Sequence, residues 1–213
     1  INVSAVAEEG VAISAFVSSD LLMGLLPFDM ESGGTAGSGM VANENGHDGL
    51  KIRVEGEENA YAILAGVTAN DNVNDGVNAR LDCMDGDAYA IAAYAEALRN
   101  GGQGFAFDLD SAEDSMAALV NVSANANALQ GIRVNAASGN ANAYALLNGV
   151  GTASNGSAGI RLDLGAAGEA AACLSAVESS YNDGRGAHID LQGAEGANLW
   201  LGSLAWADFA DYY

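Results

Sequence analysis

Positive charge is the scarcest property of this sequence. Its 213 residues include 28 acidic but only seven basic side chains, with Lys51 as the single lysine and a formal net charge of −21. Such a surface repels nucleic-acid phosphates and anionic lipid head groups, which argues against both as partners. Copies of the chain also repel each other unless salt shortens the Debye length. The composition therefore favours an ion-rich, extracellular or cell-surface setting.

Proline, histidine and long apolar runs are also scarce. Pro27 is the single proline, and His47 and His188 are the two histidines. The apolar stretch at residues 21–28 is too short to span a bilayer. Nucleophile–histidine arrangements, glycine-rich phosphate loops and zinc-ligand spacings are absent, so we predict no catalytic or cofactor-binding residue. No secretory signal opens the sequence, and we interpret Ile1 as a terminus left by signal removal.

Glycine, by contrast, is abundant and periodic. Of the 28 glycines, six recur at intervals of 27 or 28 residues, and we name them the marker glycines: Gly49, Gly76, Gly104, Gly131, Gly159 and Gly186. A fixed period of this length is the sequence signature of a solenoid, in which each repeat forms one coil stacked on the last.

A strand is predicted directly after each marker glycine. Apolar residues such as Leu50, Ile52 and Val54 alternate there with polar ones such as Lys51 and Arg53. A period of two with one apolar face is typical of a half-buried strand, and in-register stacking of such strands produces a parallel sheet. An alanine-rich second segment follows and aligns one residue of each repeat in a column: Tyr61, Tyr89, Met116 and Tyr144.

Short helices in the second segment are the alternative, which would give an α/β horseshoe of the leucine-rich-repeat type. The interruptions at Gly66, Asn121, Asn148 and Gly149 argue against helices. The asparagine that the leucine-rich consensus needs after its strand also has no column here. We therefore predict an all-β fold, a parallel β-helix (β-solenoid) with coils of 27 or 28 residues.

Polar turns rich in Asn, Asp, Gly and Ser close the coils. The phrases GVTANDNVNDGV (66–77) and GVGTASNGSAGI (149–160) resemble the repeat of right-handed parallel β-helix proteins. The resemblance implies a parallel β-helix over residues 49–213 with about six regular coils. It does not imply one function, because the family includes polysaccharide lyases and hydrolases, adhesin passengers and phage spikes.

We predict a single domain over residues 1–213, with a degenerate N-terminal coil at residues 1–48. GVAISAFV from Gly10 matches a repeat opening, which puts residues 1–9 in the second half of a coil and an insertion of about a dozen residues within 18–39. Cys83 and Cys173 then lie three coils apart, about 14 Å along an axis that rises ~4.8 Å per coil. That distance excludes a disulfide between them and leaves an intermolecular bridge open.

The ends of the predicted solenoid carry the strongest functional signal. Exposed strand edges pair with other chains unless they are capped, and the last coil, residues 197–213, is aromatic rather than polar. Either these aromatic residues plug the core, or one copy's last coil meets the next copy's first and builds a fibre. Residues 21–28 serve that contact or a folded-back cap. The predicted assembly interface consists of Ile1, Val3, Leu21, Leu22, Leu25, Leu26, Phe28, Trp200, Trp206, Phe209, Tyr212 and Tyr213.

Four carboxylates are predicted on the outer surface of adjacent coils: Glu55, Asp82, Asp108 and Asp110. Carboxylate oxygens are the ligands that Ca²⁺ prefers, so we predict no cofactor other than a weak calcium site here. A solvated acidic face neutralised by Arg53 and Arg80 is the competing interpretation.

A polysaccharide hydrolase or lyase is the remaining catalytic alternative. It would use Asp183, Arg185, His188 and Asp190, since clustered aspartates hydrolyse glycosidic bonds. The net charge opposes binding of an acidic polymer. We therefore favour a non-catalytic extracellular structural protein, a fibre subunit that forms a homopolymer by end-to-end contacts. A surface adhesin that binds a glycan or a cell surface through outward Tyr and Asp columns is the first alternative.

Overall fold

A computed structural model describes residues 2–7, 11–15, 39–56 and 59–206. These residues form strands, bends and turns without any helix, so the leucine-rich-repeat-like horseshoe is wrong. The strands stack in parallel as a β-solenoid of about six turns, each 27 or 28 residues long, as the marker glycines predict.

One face of the solenoid is a seven-stranded parallel sheet, sheet A. It contains the strand that follows each marker glycine, preceded by one strand from the N-terminal region. In stacking order its strands are β1 (Asn2–Ala7), β3 (Leu50–Gly56), β5 (Val77–Cys83), β7 (Phe105–Ser111), β9 (Ile132–Ser138), β12 (Ile160–Ala166) and β15 (Ala187–Gly193).

The alanine-rich segments form the second sheet, sheet B, which has ten strands. Its main column contains β2 (Val11–Ala15), β4 (Ala60–Ala65), β6 (Ala88–Leu98), β8 (Ser115–Asn125), β10 (Ala143–Asn148), β13 (Glu169–Ser175) and β16 (Gly196–Leu201). The long strands β6 and β8 continue past a corner, where shorter strands complete the sheet: β11 (Gly151–Ala153), β14 (Val177–Ser180) and β17 (Leu204–Trp206).

Left-handed residues turn the chain at two corners of each coil. The corner inside sheet B has a positive φ in five successive coils, and its members are Gly66, Tyr94, Asn121, Gly149 and Ala176. The corner before the marker glycine has a second such column: Glu44, Asp71, Arg99, Ala126, Ser154 and Tyr181. The same backbone bend thus recurs at the same position in successive coils, which keeps their strands in register.

The core between the two sheets is narrow, and the two sheets fill it with side chains of different size. Sheet A supplies the bulky ones, such as Phe105 and Phe107, which are at most 1 % exposed and pack edge to face with ring centroids 6.3 Å apart. Sheet B supplies mainly alanines, such as Ala88 and Ala90, to the same cluster. A composition rich in Ala and modest in large side chains therefore suits a core only a few residues wide.

The N-terminal register differs from the prediction. Residues 2–7 pair with β3, so they are the first strand of a coil and not its second half. Val11–Ala15 pairs with β4, which places Gly10 before a second strand rather than at a repeat opening. Because Asn2 pairs with Lys51, this coil is about 22 residues longer than the regular ones, not about a dozen. Cys83 and Cys173 form no disulfide with each other, as predicted.

Candidate functional site

An asparagine ladder runs through the corner before sheet A and was missed in the sequence analysis. In each coil the amide Oδ1 accepts two hydrogen bonds from the asparagine of the preceding coil, one from its backbone N–H and one from its Nδ2. For Asn127 these distances from Asn100 are 3.0 and 2.9 Å. The members are Asn45, Asn72, Asn100, Asn127, Asn155 and Asn182. Each lies four residues before a marker glycine, a periodicity visible in the sequence.

The ladder satisfies backbone groups that would otherwise be buried without partners. Asn127 is 1 % exposed, and its Nδ2 donates both to the carbonyl of Ala97 at 3.1 Å and to Oδ1 of Asn155 at 3.1 Å. Within the described residues no fully buried side-chain nitrogen or oxygen lacks a partner. The ladder is therefore a structural element that fixes the stacking of coils, and it offers no reactive group.

The marker glycines are explained by this ladder. A Cβ on Gly104 would lie 2.6 Å from the carbonyl oxygen of Gly131 and 2.8 Å from Nδ2 of Asn127. The backbone of Gly104 has no positive φ, so close approach of the next coil, rather than an unusual dihedral, demands glycine here.

Three of the four predicted calcium ligands stack in register on sheet A. Glu55 pairs with Asp82 and Asp82 pairs with Asp110, while Asp108 lies in the neighbouring column opposite Arg80. Arginines pair with three of the four carboxylates: Arg53 binds Glu55, Arg80 binds Asp82 at 2.9 Å, and Arg133 binds Asp108. The described part of the chain has no group of three or more His, Cys, Asp or Glu that could hold a metal ion. The calcium site stays a prediction.

The residues of the catalytic alternative lie at the last turn and strand of sheet A. Arg185 contacts Nδ1 of His188, and the carboxylate of Asp190 accepts a hydrogen bond from Gln192 at 3.0 Å. Asp183 is exposed in the preceding turn, where its backbone N–H donates to Asn155 at 2.8 Å. Asp190 is thus bonded as an ordinary solvated strand residue, and these contacts assign no acid or base role.

The predicted tyrosine column is confirmed on the outer face of sheet B. Tyr61 pairs with Tyr89, and their rings stack with centroids 5.5 Å apart and an interplanar angle of 15°. Burial raises the pKa of both phenols, and the nearby carboxylate of Asp87 raises them further. Each ring covers one face of the other, which reduces the aromatic surface open to a sugar ring.

The last described coil exposes residues at positions that the preceding coils from β4 onward bury. Leu199 and Leu201 take the register positions of Ala172 and Leu174, which are at most 1 % exposed. Leu199 and Leu201 are 44 % and 55 % exposed, because no further described coil stacks on them. An apolar end face of sheet B is the result.

The predicted interface residues fall at different places. Val3 is in β1 at the opposite end of sheet A from β15, and Trp206 is in β17. Trp200 pairs in register with Cys173 on the outer side of sheet B and is 54 % exposed, so it does not plug the core. The other members lie outside the described residues: Ile1, Leu21, Leu22, Leu25, Leu26, Phe28, Phe209, Tyr212 and Tyr213.

No protein-family model, curated protein or solved structure matches this chain. What the structure establishes is the coarser class, a parallel β-solenoid, with an apolar end face, an internal asparagine ladder and a charged outer sheet. A membrane-crossing helix is not found among the described residues.

Proposed function

We propose that this protein is a non-catalytic extracellular structural protein whose solenoids join end to end into a fibre. The exposed end face carries this proposal. Leu199 and Leu201 hold core positions and remain uncovered, and a strand of a second copy stacked on β16 would bury them as Ala172 and Leu174 are buried. Burial of such side chains contributes roughly 1.5–3 kcal/mol each.

The distribution of charge along the stack supports the same contact. The end strands of sheet B, β2 on one side and β16 and β17 on the other, contain no charged residue, although the chain carries a net charge of −21. In sheet A the first strand, β1, is also uncharged, whereas the last, β15, carries Asp190. Edge strands normally carry charges that prevent pairing with other chains. The uncharged edges of sheet B at both ends permit a head-to-tail contact, which does not close and so produces a fibre.

The proposal also includes the right-handed parallel β-helix class and the extracellular location. The turn phrases resemble right-handed parallel β-helix proteins, and parallel crossover connections are right-handed in nearly all cases. An extracellular setting fits the acidic surface, because ions there screen the repulsion between copies.

Negative-stain electron microscopy of the purified full chain tests the proposal. We expect long threads of uniform width in physiological salt. Leu199→Glu should abolish them, because it places a charge in the core of the joint. Leu129→Glu is the matched control, since Leu129 is 45 % exposed in a turn on the side of the solenoid and the added charge is the same.

Short monodisperse rods at every salt and protein concentration would overturn the fibre. Threads that persist in Leu199→Glu, or that vanish equally in Leu129→Glu, would show that the end face of sheet B is not the joint. Rods that bind immobilised glycans would favour the adhesin instead.

A further inference from the structure

The outer face of sheet A differs in charge from the rest of the molecule. Its outward positions carry five of the seven basic residues but only six of the 28 acidic ones. This face is close to neutral, whereas the rest of the sequence holds 22 acidic and two basic residues. Two copies can therefore approach through sheet A with the least long-range repulsion.

Three columns of outward residues run along this face from β3 to β15, and the strand register fixes their order. The basic column is Lys51, Asn78, Ala106, Arg133, Arg161 and His188. The mixed column is Arg53, Arg80, Asp108, Asn135, Asp163 and Asp190. The acidic column is Glu55, Asp82, Asp110, Ala137, Gly165 and Gln192.

The mixed column changes sign from one end to the other. It begins with two arginines, Arg53 and Arg80, and ends with two aspartates, Asp163 and Asp190. The acidic column has carboxylates only in its first half and uncharged residues in its second. A pattern of this kind is self-complementary when one copy is inverted on another, as an isologous two-fold contact requires.

We propose that two copies pack antiparallel through the outer faces of sheet A, about a two-fold axis parallel to the strands and midway between β7 and β9. The axis exchanges β3 with β15, β5 with β12, and β7 with β9. In the mixed column Arg53 then faces Asp190 of the second copy and Arg80 faces Asp163. Each of these ion pairs occurs twice.

The other two columns fit the same arrangement in charge and in size. Asp110 faces Ala137, and Asp82 faces Gly165, so each carboxylate meets a small uncharged residue. In the basic column Arg133 lies opposite Ala106, which is 2 % exposed and adds no charge. A depression of about 310 Å³ at the axis, lined by Asp110 and Ala137 among others, leaves room for these side chains. Apart from Lys51, which faces His188, no two basic and no two acidic residues face each other in the three columns.

A parallel arrangement of the same faces lacks this complementarity. With the two-fold axis along the solenoid, each residue of the mixed column faces the same residue of the second copy, so Arg80 meets Arg80 and Asp163 meets Asp163. Strands of ~3.3 Å per residue spaced ~4.8 Å apart give a face of roughly 600 Å² on each copy, about 1,200 Å² in the pair. That area is at the lower limit for a specific interface, so we expect a weak, salt-sensitive dimer.

A charge swap tests the pairing. Sedimentation velocity in about 0.15 M salt measures the fraction of dimer. The end-blocked Leu199→Glu variant serves as background if the parent forms threads. We expect Arg80→Asp and Asp163→Arg each to weaken the dimer about tenfold or more. The double variant Arg80→Asp/Asp163→Arg should restore it, because the opposite charges again face each other.

The restoration separates the interface from a local effect. Arg80 also pairs with Asp82 and Arg161 with Asp163 within one copy, and the double variant restores neither of these contacts. The matched control swaps Arg99 and Asp71, an exposed ion pair of 2.7 Å at the corner before sheet A, by Arg99→Asp and Asp71→Arg. These changes should leave the dimer unaltered.

A monomer at all concentrations would overturn the antiparallel pair, as would a dimer that neither single variant weakens or that the double variant fails to restore. These outcomes are independent of the fibre, because threads report on the end face whereas the swap reports on sheet A.

Discussion

At the scale of single residues, the buried asparagines set the spacing of the coils. Asn100, Asn127 and Asn155 each accept at Oδ1 from the preceding coil and donate from Nδ2 to both neighbouring coils. Exchanging such an amide for a carboxylate therefore removes a donor without changing shape. Asn127 shows this most clearly, because both acceptors of its Nδ2, the carbonyl of Ala97 and Oδ1 of Asn155, are oxygens with no proton to offer.

We predict that Asn127→Asp lowers the free energy of unfolding at pH 7 by about 3–5 kcal/mol, the cost of a buried charge without a partner. The new carboxyl is more basic in the folded state than in the unfolded one, since only its protonated form can donate. Its penalty is therefore absent below the unfolded pKa and grows as pH rises through the folded pKa. Urea unfolding at pH 4 and pH 7 measures both effects.

Asn148→Asp controls for the added charge, because Asn148 is exposed at the end of β10. Equal losses of stability in the two variants, or a loss in Asn127→Asp that does not shrink at pH 4, would contradict the role of the ladder.

At the scale of elements, strands are joined by corners in which residues without glycine's freedom adopt a positive φ. The corner inside sheet B accepts glycine at Gly66 and Gly149 but holds Ala176 at φ 51°. A Cβ in this region is strained, and the regular coils tolerate that strain because the strands on both sides are fixed by their neighbours.

We predict that Ala176→Gly raises the free energy of unfolding by about 1 kcal/mol, because relief of strain exceeds the extra entropy of the unfolded chain. Ala167→Gly is the control: Ala167 is also exposed but has no positive φ, so the change should lower the free energy of unfolding by about 0.5–1 kcal/mol. Chemical denaturation measures the free energy of unfolding of both variants. Changes of the same sign in the two variants would contradict the proposed strain at Ala176.

The elements also show how far the sequence leads. The marker glycines predict the register of β3 with β5 and of every later pair, because close packing of coils forbids a Cβ at that position. In the N-terminal coil Gly10 resembles a marker glycine, and the alternation in residues 11–15 suits either sheet, so the register of this coil was predicted wrongly. The ladder was predictable, since its asparagines share the period of the glycines.

The ion pairs of sheet A were predictable in part. Arg80 and Arg161 bind the carboxylate two residues later on their own strand, Asp82 and Asp163. Arg133 has Asn135 at that position and turns to Asp108 on the neighbouring strand instead. A carboxylate two positions away is thus a usable signal, whereas the exposure of Leu199 depends on how many coils stack above it and cannot be read from its own repeat.

At the scale of the whole molecule, folding brings together an excess of negative charge, and we expect this to limit stability at neutral pH. Asp75 shows this effect most clearly. Burial raises the pKa of Asp75, and the neighbouring carboxylate of Asp48 raises it further. Hydrogen bonds donated by the Gln103 N–H and by Asn78 oppose this rise. A raised folded-state pKa favours the folded state below the unfolded pKa, and this advantage is lost as pH rises.

We predict that the melting temperature at constant ionic strength is higher at pH 5 than at pH 7. The carboxylate of Asp71 works in the opposite direction, since its hydrogen bond from Arg99 lowers its pKa, but that contribution is lost only in more acidic solution. Asp75→Asn keeps the oxygen that accepts the Gln103 N–H and should flatten the pH dependence, whereas Asp85→Asn, an exposed position with the same change of charge, should preserve it. Circular dichroism melts of the three proteins at both pH values test this prediction. A parent that melts at a lower temperature at pH 5 than at pH 7 would contradict it. So would an Asp75→Asn variant whose melting temperature depends on pH as strongly as that of the parent, because carboxylate burial in this corner would then not limit stability.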